Sequence, residues 1–121
     1  MLIRRLAFIA ALALAAPASA HHSFAMFDMQ KTVTISGTIA EFKWTNPHAW
    51  MHVDIADGSG KVSTWAIEMT SPNNLVHSGW RRSSLKPGDK VNVDIHPLRN
   101  GKNGGSLVQV TLPDGTVLKN A

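Results

Sequence analysis

Residues 71–80 have the sequence Ser-Pro-Asn-Asn-Leu-Val-His-Ser-Gly-Trp, and this segment decides the fold class. Ser71 is a favoured helix N-cap, Pro72 suits the first helical position, and Gly79 suits the left-handed residue that ends a helix. The tryptophan that follows the glycine can pack back onto Leu75, which is the apolar contact of a Schellman ending. The segment therefore predicts one short helix in a chain whose other patterns are those of strands.

Alternation of apolar and polar residues predicts three strands before this helix, two after it and a short last strand. The predicted strands are 32–44, 48–57, 62–69, 90–97, 106–112 and 116–118. Gly37 interrupts the first strand and predicts a bulge or bend there, whereas the glycine-rich stretch 100–105 predicts a loop. This order is that of an OB-fold, so we expect an all-β protein with small α content: an OB-like five-stranded β-barrel with one short helix between strands 3 and 4. An immunoglobulin-like sandwich, which needs about seven strands, is the alternative.

The first twenty residues have the three-part pattern of a secretory signal peptide. Arg4 and Arg5 form its positive start, residues 6–16 its apolar run and Ala18–Ala20 its cleavage site. The apolar run is too short for a transmembrane helix, which needs roughly 20 residues. We expect cleavage after Ala20 and a periplasmic protein without membrane insertion. The predicted segments are a signal peptide at 1–20, an N-terminal arm at 21–31 and the OB-like barrel domain at 32–121.

Composition excludes several classes of function. The formal net charge of +4 falls to +2 when Arg4 and Arg5 leave with the signal peptide, and so small a charge predicts no nucleic-acid partner. The chain has no cysteine, which excludes disulfides, thiolate metal sites and a catalytic thiol. There is no nucleophile-elbow motif, and the only glutamates are Glu41 and Glu68. Glu68 is expected on the polar face of the barrel, and a role as a metal ligand is the alternative. We therefore expect a protein that is not an enzyme.

The N-terminus of the cleaved chain carries the clearest chemical signal. His21 would become the first residue, and its free amine and imidazole could chelate one ion together, as in a histidine brace. Imidazole suits copper and thioether sulfur favours Cu(I), so the neighbouring histidine and methionines extend the ligand set. The predicted ligands of a copper-type ion are His21, His22, His48, Met26 and Met29. A disordered terminus with ordinary methionines is the alternative.

The second predicted strand has a polar face with an aromatic centre. His48 and His52 lie on that face roughly 13 Å apart with Trp50 between them, so we do not expect the two imidazoles to share an ion. An exposed tryptophan on an OB strand can stack on a base, a sugar or a protein. Trp50 and His52 therefore predict a ligand face for an envelope ligand or a protein partner. Packing of Trp50 into the barrel is the alternative.

Other charged and imidazole side chains predict ordinary surface positions. His77 is expected to complement the dipole at the C-terminal end of the helix. His96 lies on the outward parity of its strand and is expected to be solvated. Arg81 and Arg82 are expected to form a solvated basic spot after the helix.

Five short motifs are spread through the predicted mature chain. They are His21-His22-Ser23-Phe24, Phe-Lys-Trp-Thr-Asn-Pro-His at 42–48, Ser-Pro-Asn-Asn-Leu at 71–75, Gly79-Trp80 and Leu-Lys-Pro-Gly-Asp at 85–89. Together they resemble a family of small exported bacterial proteins that is known only as a domain of unknown function. This resemblance implies a periplasmic or secreted single domain and brings no activity with it.

A second, looser resemblance is to the OB-like periplasmic copper/silver metallochaperones, which hold Cu(I) or Ag(I) with histidine, methionine and a capping tryptophan. The same residue types occur here in Trp50-Met51-His52, Met26, Met29 and Met69. This similarity implies copper carriage or sequestration in the periplasm. A metal-free OB-like binding module and an accessory subunit of an exported enzyme complex remain open as alternatives.

Overall fold

In the computed structural model, which describes residues 24–121, a short 3-10 turn precedes six strands and one α-helix. The bounds are Phe24–Met26 for the 3-10 turn, Val33–Lys43 for β1, Trp50–Ala56 for β2, Val62–Glu68 for β3, Pro72–His77 for α1, Lys90–Pro97 for β4, Gly104–Thr111 for β5 and Val117–Lys119 for β6. The element order confirms the prediction of three strands, a helix and further strands. The predicted signal peptide and the residues His21 and His22 lie outside the described residues.

The strands form one sheet that closes on itself. Their order is β3-β2-β1-β4-β5-β6, with antiparallel neighbours, and a parallel pairing of β3 with β5 completes the barrel. In that closing pair Ala66 lies opposite Gly104, and Glu68 lies opposite Ser106. The OB-like five-stranded barrel with its helix between strands 3 and 4 is thereby confirmed. A sandwich is excluded because β1 to β5 are joined in a single closed sheet, to which β6 is added beside β5.

Two glycines that were predicted to lie in a loop begin β5 instead. Gly104 and Gly105 are buried in the strand, so β5 starts two residues before its predicted position. A Cβ atom on Gly104 would lie 2.8 Å from the carbonyl oxygen of Ala66. Only glycine permits this approach of two backbones, so these residues close the barrel.

The predicted irregularity of β1 is present, but it lies three residues beyond Gly37. The pairing with β2 shifts register between Ile39 and Glu41. Gly37 instead permits close approach, because a Cβ there would overlap the carbonyl oxygen of Asp54. Beyond the bulge the apolar parity changes as predicted, and Phe42 packs half-buried against the core.

Both ends of α1 have the capping interactions that the sequence predicts. Ser71 accepts a hydrogen bond from the backbone N–H of Asn74, and Gly79 has a φ of +92°. The backbone N–H of Trp80 donates to the Leu75 carbonyl at 2.9 Å, which completes the Schellman motif. The Trp80 ring is buried in the core, whose members are Ile35, Ile39, Ala49, Met51, Val53, Ile67, Met69, Leu75, Trp80, Leu85, Val91, Val93, Ile95, Leu107 and Val110.

The last residues of the chain hold the helix end in place. The indole Nε1–H of Trp80 donates to the carbonyl of Lys119 at 2.7 Å. The side-chain oxygen of Asn120 accepts from the Thr70 N–H at 2.8 Å, and its backbone N–H donates to Val108 at 3.1 Å. The buried indole therefore has its hydrogen-bond partner in β6.

The described part of the N-terminal arm is docked on the barrel. Phe27 is buried and forms a bridge with Leu98, at the start of the loop between β4 and β5. The backbone N–H of Arg99 in that loop donates to the Met26 carbonyl at 2.9 Å. His96, which was expected to be solvated, is half-buried, and its Nδ1–H donates to a carbonyl of the arm at 2.9 Å. Within residues 24–121, no helix is both long and apolar enough to cross a bilayer.

Candidate functional site

Six polar and aromatic side chains lie together on the outer surface of β1, β2 and β3, and we call this surface the Trp50 face. Its members are Glu41, Lys43, His48, Trp50, His52 and Glu68. In the sheet register Trp50 lies between Lys43 and Glu68, while His52 lies opposite Glu41. Facing residues on one side of antiparallel strands have Cβ atoms about 5 Å apart, so these side chains are direct neighbours.

The backbone at the start of β2 brings His48 to the end of β3. The N–H of Ala49 donates to the Thr70 carbonyl at 3.1 Å, and the N–H of Met69 donates back to Ala49 at 2.9 Å. Ala49 and Met69 are both buried, so the residues before them, His48 and Glu68, point outward by strand alternation. Local pairing therefore positions both side chains on the same patch of surface.

His48 and Glu68 form a short hydrogen bond. Nδ1 of His48 lies 2.6 Å from Oε1 of Glu68, and the two side chains are 49% and 20% exposed. Because a carboxylate can only accept, Nδ1 carries the proton and donates. The neutral ring then keeps a lone pair on Nε2, which is available to a ligand or a metal ion.

His52 and Glu41 form a looser pair on the other side of Trp50. Nδ1 of His52 lies 3.3 Å from Oε2 of Glu41, and here the carboxylate is the more exposed partner at 55% against 25%. This distance exceeds the range of a strong charge-assisted hydrogen bond. The side chains of His52 and Glu41 are consequently less tightly held in place than those of His48 and Glu68.

Trp50 is the half-buried centre of this face. Its indole offers a large apolar surface, and the imidazole–carboxylate pairs on either side offer hydrogen-bond donors and acceptors. Two carboxylates and one ammonium group, that of Lys43, give the face a negative balance when the imidazoles are neutral. The arrangement can hold a ligand that combines an apolar ring with polar substituents.

The structure describes three of the five predicted metal ligands, Met26, Met29 and His48. Met26 and Met29 are exposed on the arm, at 45% and 39%, while His48 and His52 belong to different pairs on the Trp50 face. Met69, a residue of the metallochaperone resemblance, is buried. Among residues 24–121, no three histidine, aspartate or glutamate side chains converge in a way that could hold an ion.

The hydrogen bond between Glu68 and His48 was not predicted, although Glu68 was expected on the polar face of the barrel. The signal was present in the hairpin between β2 and β3. The loop at 57–61 joins Ala56 to Val62, and these two residues are paired. Counting back along both strands from this pair places Glu68 opposite Trp50. The pairing of the two strands continues for one residue beyond their ends, and this brings His48 beside Glu68.

Comparisons with known proteins bear on the fold and the family. One similar solved structure is that of the mitochondrial single-stranded DNA-binding protein Rim1 of S. cerevisiae, with 14% identity and a TM-score of 0.50. The match covers 75% of this chain and 97% of that chain. At this identity the likeness concerns the fold alone, and it agrees with an OB-like barrel.

The curated proteins include no match to the chain. A family model, described as a family of unknown function (DUF6152), matches residues 10–108. That match spans most of the chain and agrees with the resemblance to a domain of unknown function. The chain therefore belongs to the DUF6152 family.

Proposed function

We propose that the protein is an exported OB-fold binding module that takes its ligand on the Trp50 face. The observation that carries this proposal is the half-buried indole of Trp50 between two imidazole–carboxylate pairs. Ligand sites combine apolar surface with a few placed polar groups, and this face has both. The outer surface of strands 2 and 3 is also where OB-folds bind oligonucleotides and oligosaccharides. Export is supported by the signal-peptide pattern of residues 1–20.

The chemistry of the face favours an envelope ligand with a ring and hydroxyl or amide substituents. A ring can stack on Trp50, while its substituents donate to Glu41 or Glu68 and accept from protonated imidazole or Lys43. The negative balance of the face disfavours a phosphate backbone. For this reason we prefer an oligosaccharide or peptide fragment of the cell envelope to a nucleic acid, although the name of Rim1 states that it binds single-stranded DNA.

The test uses two probes and two tryptophan variants. A soluble peptidoglycan fragment and a single-stranded oligothymidylate are titrated into the ¹⁵N-labelled protein, and the indole N–H resonances are followed by NMR. Trp50→Ala is expected to abolish binding of the peptidoglycan fragment. Trp44→Ala is the matched control because Trp44 is also half-buried but does not belong to the Trp50 face.

Shifts centred on Trp50 and His52 with the peptidoglycan fragment support the proposal. Binding that survives in Trp50→Ala contradicts the proposed face. Tighter binding of the oligothymidylate, with the same two residues shifted, would keep the face and replace the ligand class.

Metal carriage is a second candidate function, and the bond between His48 and Glu68 favours it specifically. Metal-binding histidines almost always donate their second ring N–H to a carboxylate, a carbonyl or water, which orients the other nitrogen toward the ion. His48 has this arrangement, because its Nδ1 is hydrogen-bonded to Glu68 and Nε2 is the other ring nitrogen. The remaining ligands would be His21 and His22 of the cleaved N-terminus, with Met26 and Met29 as soft ligands for Cu(I).

Titration with Cu(II) and Cu(I) tests this candidate on untagged protein that mass spectrometry has shown to begin at His21. We expect one equivalent to bind, and both His21→Ala and His48→Ala to weaken binding. His77→Ala is the matched control, because His77 is exposed and also has its Nδ1 in a hydrogen bond, to the Asn73 carbonyl at 2.8 Å. Equal losses in His48→Ala and His77→Ala would exclude His48 as a ligand.

A further inference from the structure

A groove of about 510 Å³ lies between the end of α1 and the loop after β1, away from the Trp50 face. Its lining residues are Trp44, Val76, Gly79, Trp80, Arg81 and Arg82. We propose that this groove binds an organic anion with a flat apolar body, such as an aromatic carboxylate. The volume lies within the roughly 300–1,000 Å³ that is usual for small-molecule sites.

The apolar part of the groove is built from aromatic rings that the core holds rigidly. Trp44 packs edge-on against Phe42 with ring centroids 5.7 Å apart, and Phe42 lies 5.9 Å from Trp80. Trp80 is buried, whereas Trp44 is half-buried and Val76 is 56% exposed. An open groove with one fixed aromatic wall and one exposed aliphatic wall suits a flat ring.

Gly79 lines the groove without a side chain. Its φ of +92° is required by the helix ending, and nothing lies within 4 Å of the position a Cβ would take there. The Schellman hydrogen bonds also engage two of the last carbonyls of α1, since Leu75 accepts from Trp80 and Val76 accepts from Gly79. These two carbonyls therefore repel an anion less than free carbonyls would.

The polar part of the groove is cationic. Arg81 and Arg82 are both exposed, and among residues 24–121 neither guanidinium lies within 4.0 Å of a carboxylate. The backbone of Arg81 is fixed by a turn in which its N–H donates to the Ser84 hydroxyl at 2.8 Å. Guanidinium groups bind carboxylates through paired charge-assisted hydrogen bonds, so charge complementarity selects an anion for this end of the groove.

The sequence pattern alone predicts a solvated basic spot at Arg81 and Arg82. What changes this interpretation is their position beside Trp44, which is far away in sequence and reaches the groove only through the fold. A ligand there would bury its ring against the indole and its charge against the arginines. Neither feature depends on Trp50, so this inference stands apart from the proposed function.

The experiment compares naphthalene-2-carboxylate with its neutral analogue 2-naphthalenemethanol in NMR titrations. We expect the carboxylate to shift the Trp44 indole resonance and the amide resonances of Val76 and Gly79. The neutral analogue is expected to bind at least about tenfold more weakly, because it lacks the charge-assisted hydrogen bonds.

The double variant Arg81→Gln, Arg82→Gln should weaken the carboxylate at least about tenfold. Its matched control is Arg99→Gln, Lys102→Gln, which removes the same charge from the exposed loop between β4 and β5 and should leave binding unchanged. All four residues are exposed, so neither change disturbs the core. Equal binding of the two probes, equal losses in the two double variants, or no shifts at Trp44, Val76 and Gly79 would each overturn the proposal.

Discussion

The pairs His48–Glu68 and His52–Glu41 have the same composition and flank the same tryptophan, yet the barrel holds them differently. The first joins its partners at 2.6 Å with a carboxylate that is 20% exposed, and the second at 3.3 Å with a carboxylate that is 55% exposed. Glu68 is paired on both sides, with Trp50 of β2 and Ser106 of β5, whereas Glu41 follows the bulge of β1 and is paired only with His52. Pairing on both sides therefore fixes the first pair, and the bulge leaves the second pair looser.

The largest effect is expected from forcing apart the strands that carry the looser pair. Gly37→Ala adds a Cβ that overlaps the Asp54 carbonyl oxygen and lies 2.9 Å from Val53, so β1 must move away from β2. We expect the free energy of unfolding to fall by about 3 kcal/mol, measured by urea denaturation. The Nδ1 resonance of His52 should change while that of His48 is preserved.

Gly58→Ala is the control for this substitution. Gly58 lies in the loop between β2 and β3, and nothing lies within 4 Å of its added Cβ. Its free energy of unfolding should stay within about 0.5 kcal/mol of the wild type. Similar losses in both variants would show that a general effect of replacing glycine with alanine, and not close approach at Gly37, causes the change.

The second prediction concerns metal affinity. Glu68→Ala is expected to weaken copper binding about tenfold or more, because removal of a carboxylate that orients a ligand histidine typically has this effect. Glu41→Ala should change the affinity little, because its pair is long and exposed. A competition titration with a chelator measures both, and an equal loss in the two variants contradicts the distinction between the pairs.

The third prediction measures the coupling within each pair by double-mutant cycles. His48→Ala with Glu68→Ala should give a coupling free energy of about 0.5–1 kcal/mol, near the upper end for partly exposed ion pairs. His52→Ala with Glu41→Ala should give about 0.2 kcal/mol. The four single variants and two double variants are compared by urea denaturation. A larger value for the second pair would reverse the interpretation.

The smallest effect is expected at the carboxylate of Asp57, just after β2, which accepts hydrogen bonds from uncharged donors. Oδ1 of Asp57 accepts from the Ser59 hydroxyl at 2.7 Å and from the N–H groups of Ser59 and Lys61. The Ser59 hydroxyl first, and then the backbone N–H groups, hold the pKa of Asp57 below its ordinary value of 3.8. A lowered pKa in the folded state stabilises the protein above the unfolded-state pKa, and this contribution is lost as the pH falls.

Asp57→Asn should therefore be slightly less stable than the wild type at neutral pH. The difference should shrink as the pH falls through and below 3.8, the ordinary pKa of the carboxyl. Thermal denaturation over an acid pH series follows this difference. A difference that stays constant into strong acid would mean that the charge of Asp57 contributes nothing.

Most of the fold was predictable because its signals are local. The N-cap at Ser71, the stop at Gly79 and the alternation along β2 and β4 each depend on neighbours in the sequence. The start of β5 was not predictable in the same way, because Gly104 and Gly105 have no side chains that could show alternation. Their place in the strand depends on contact with β3, which a local pattern does not contain.

The candidate site was predictable only in part. The alternation of apolar and polar residues along β2 predicted Trp50 and His52 on the outer face, where the structure has them. The partners Glu41 and Glu68 come from strands on either side, so their contacts depend on register across a bulge and a hairpin. The groove at Trp44 joins residues that lie still farther apart in the sequence, because Arg81 and Arg82, its cationic end, follow the helix.

The hydrogen bond from the Trp80 indole to the Lys119 carbonyl has a consequence for the order in which the protein acquires its structure. A chain that is synthesised or translocated from its N-terminus exposes α1 well before residues 119 and 120. Until those residues emerge, the buried indole N–H has no acceptor and Thr70 lacks its partner Asn120. The barrel therefore reaches its final packing only after residues 119 and 120 have been synthesised.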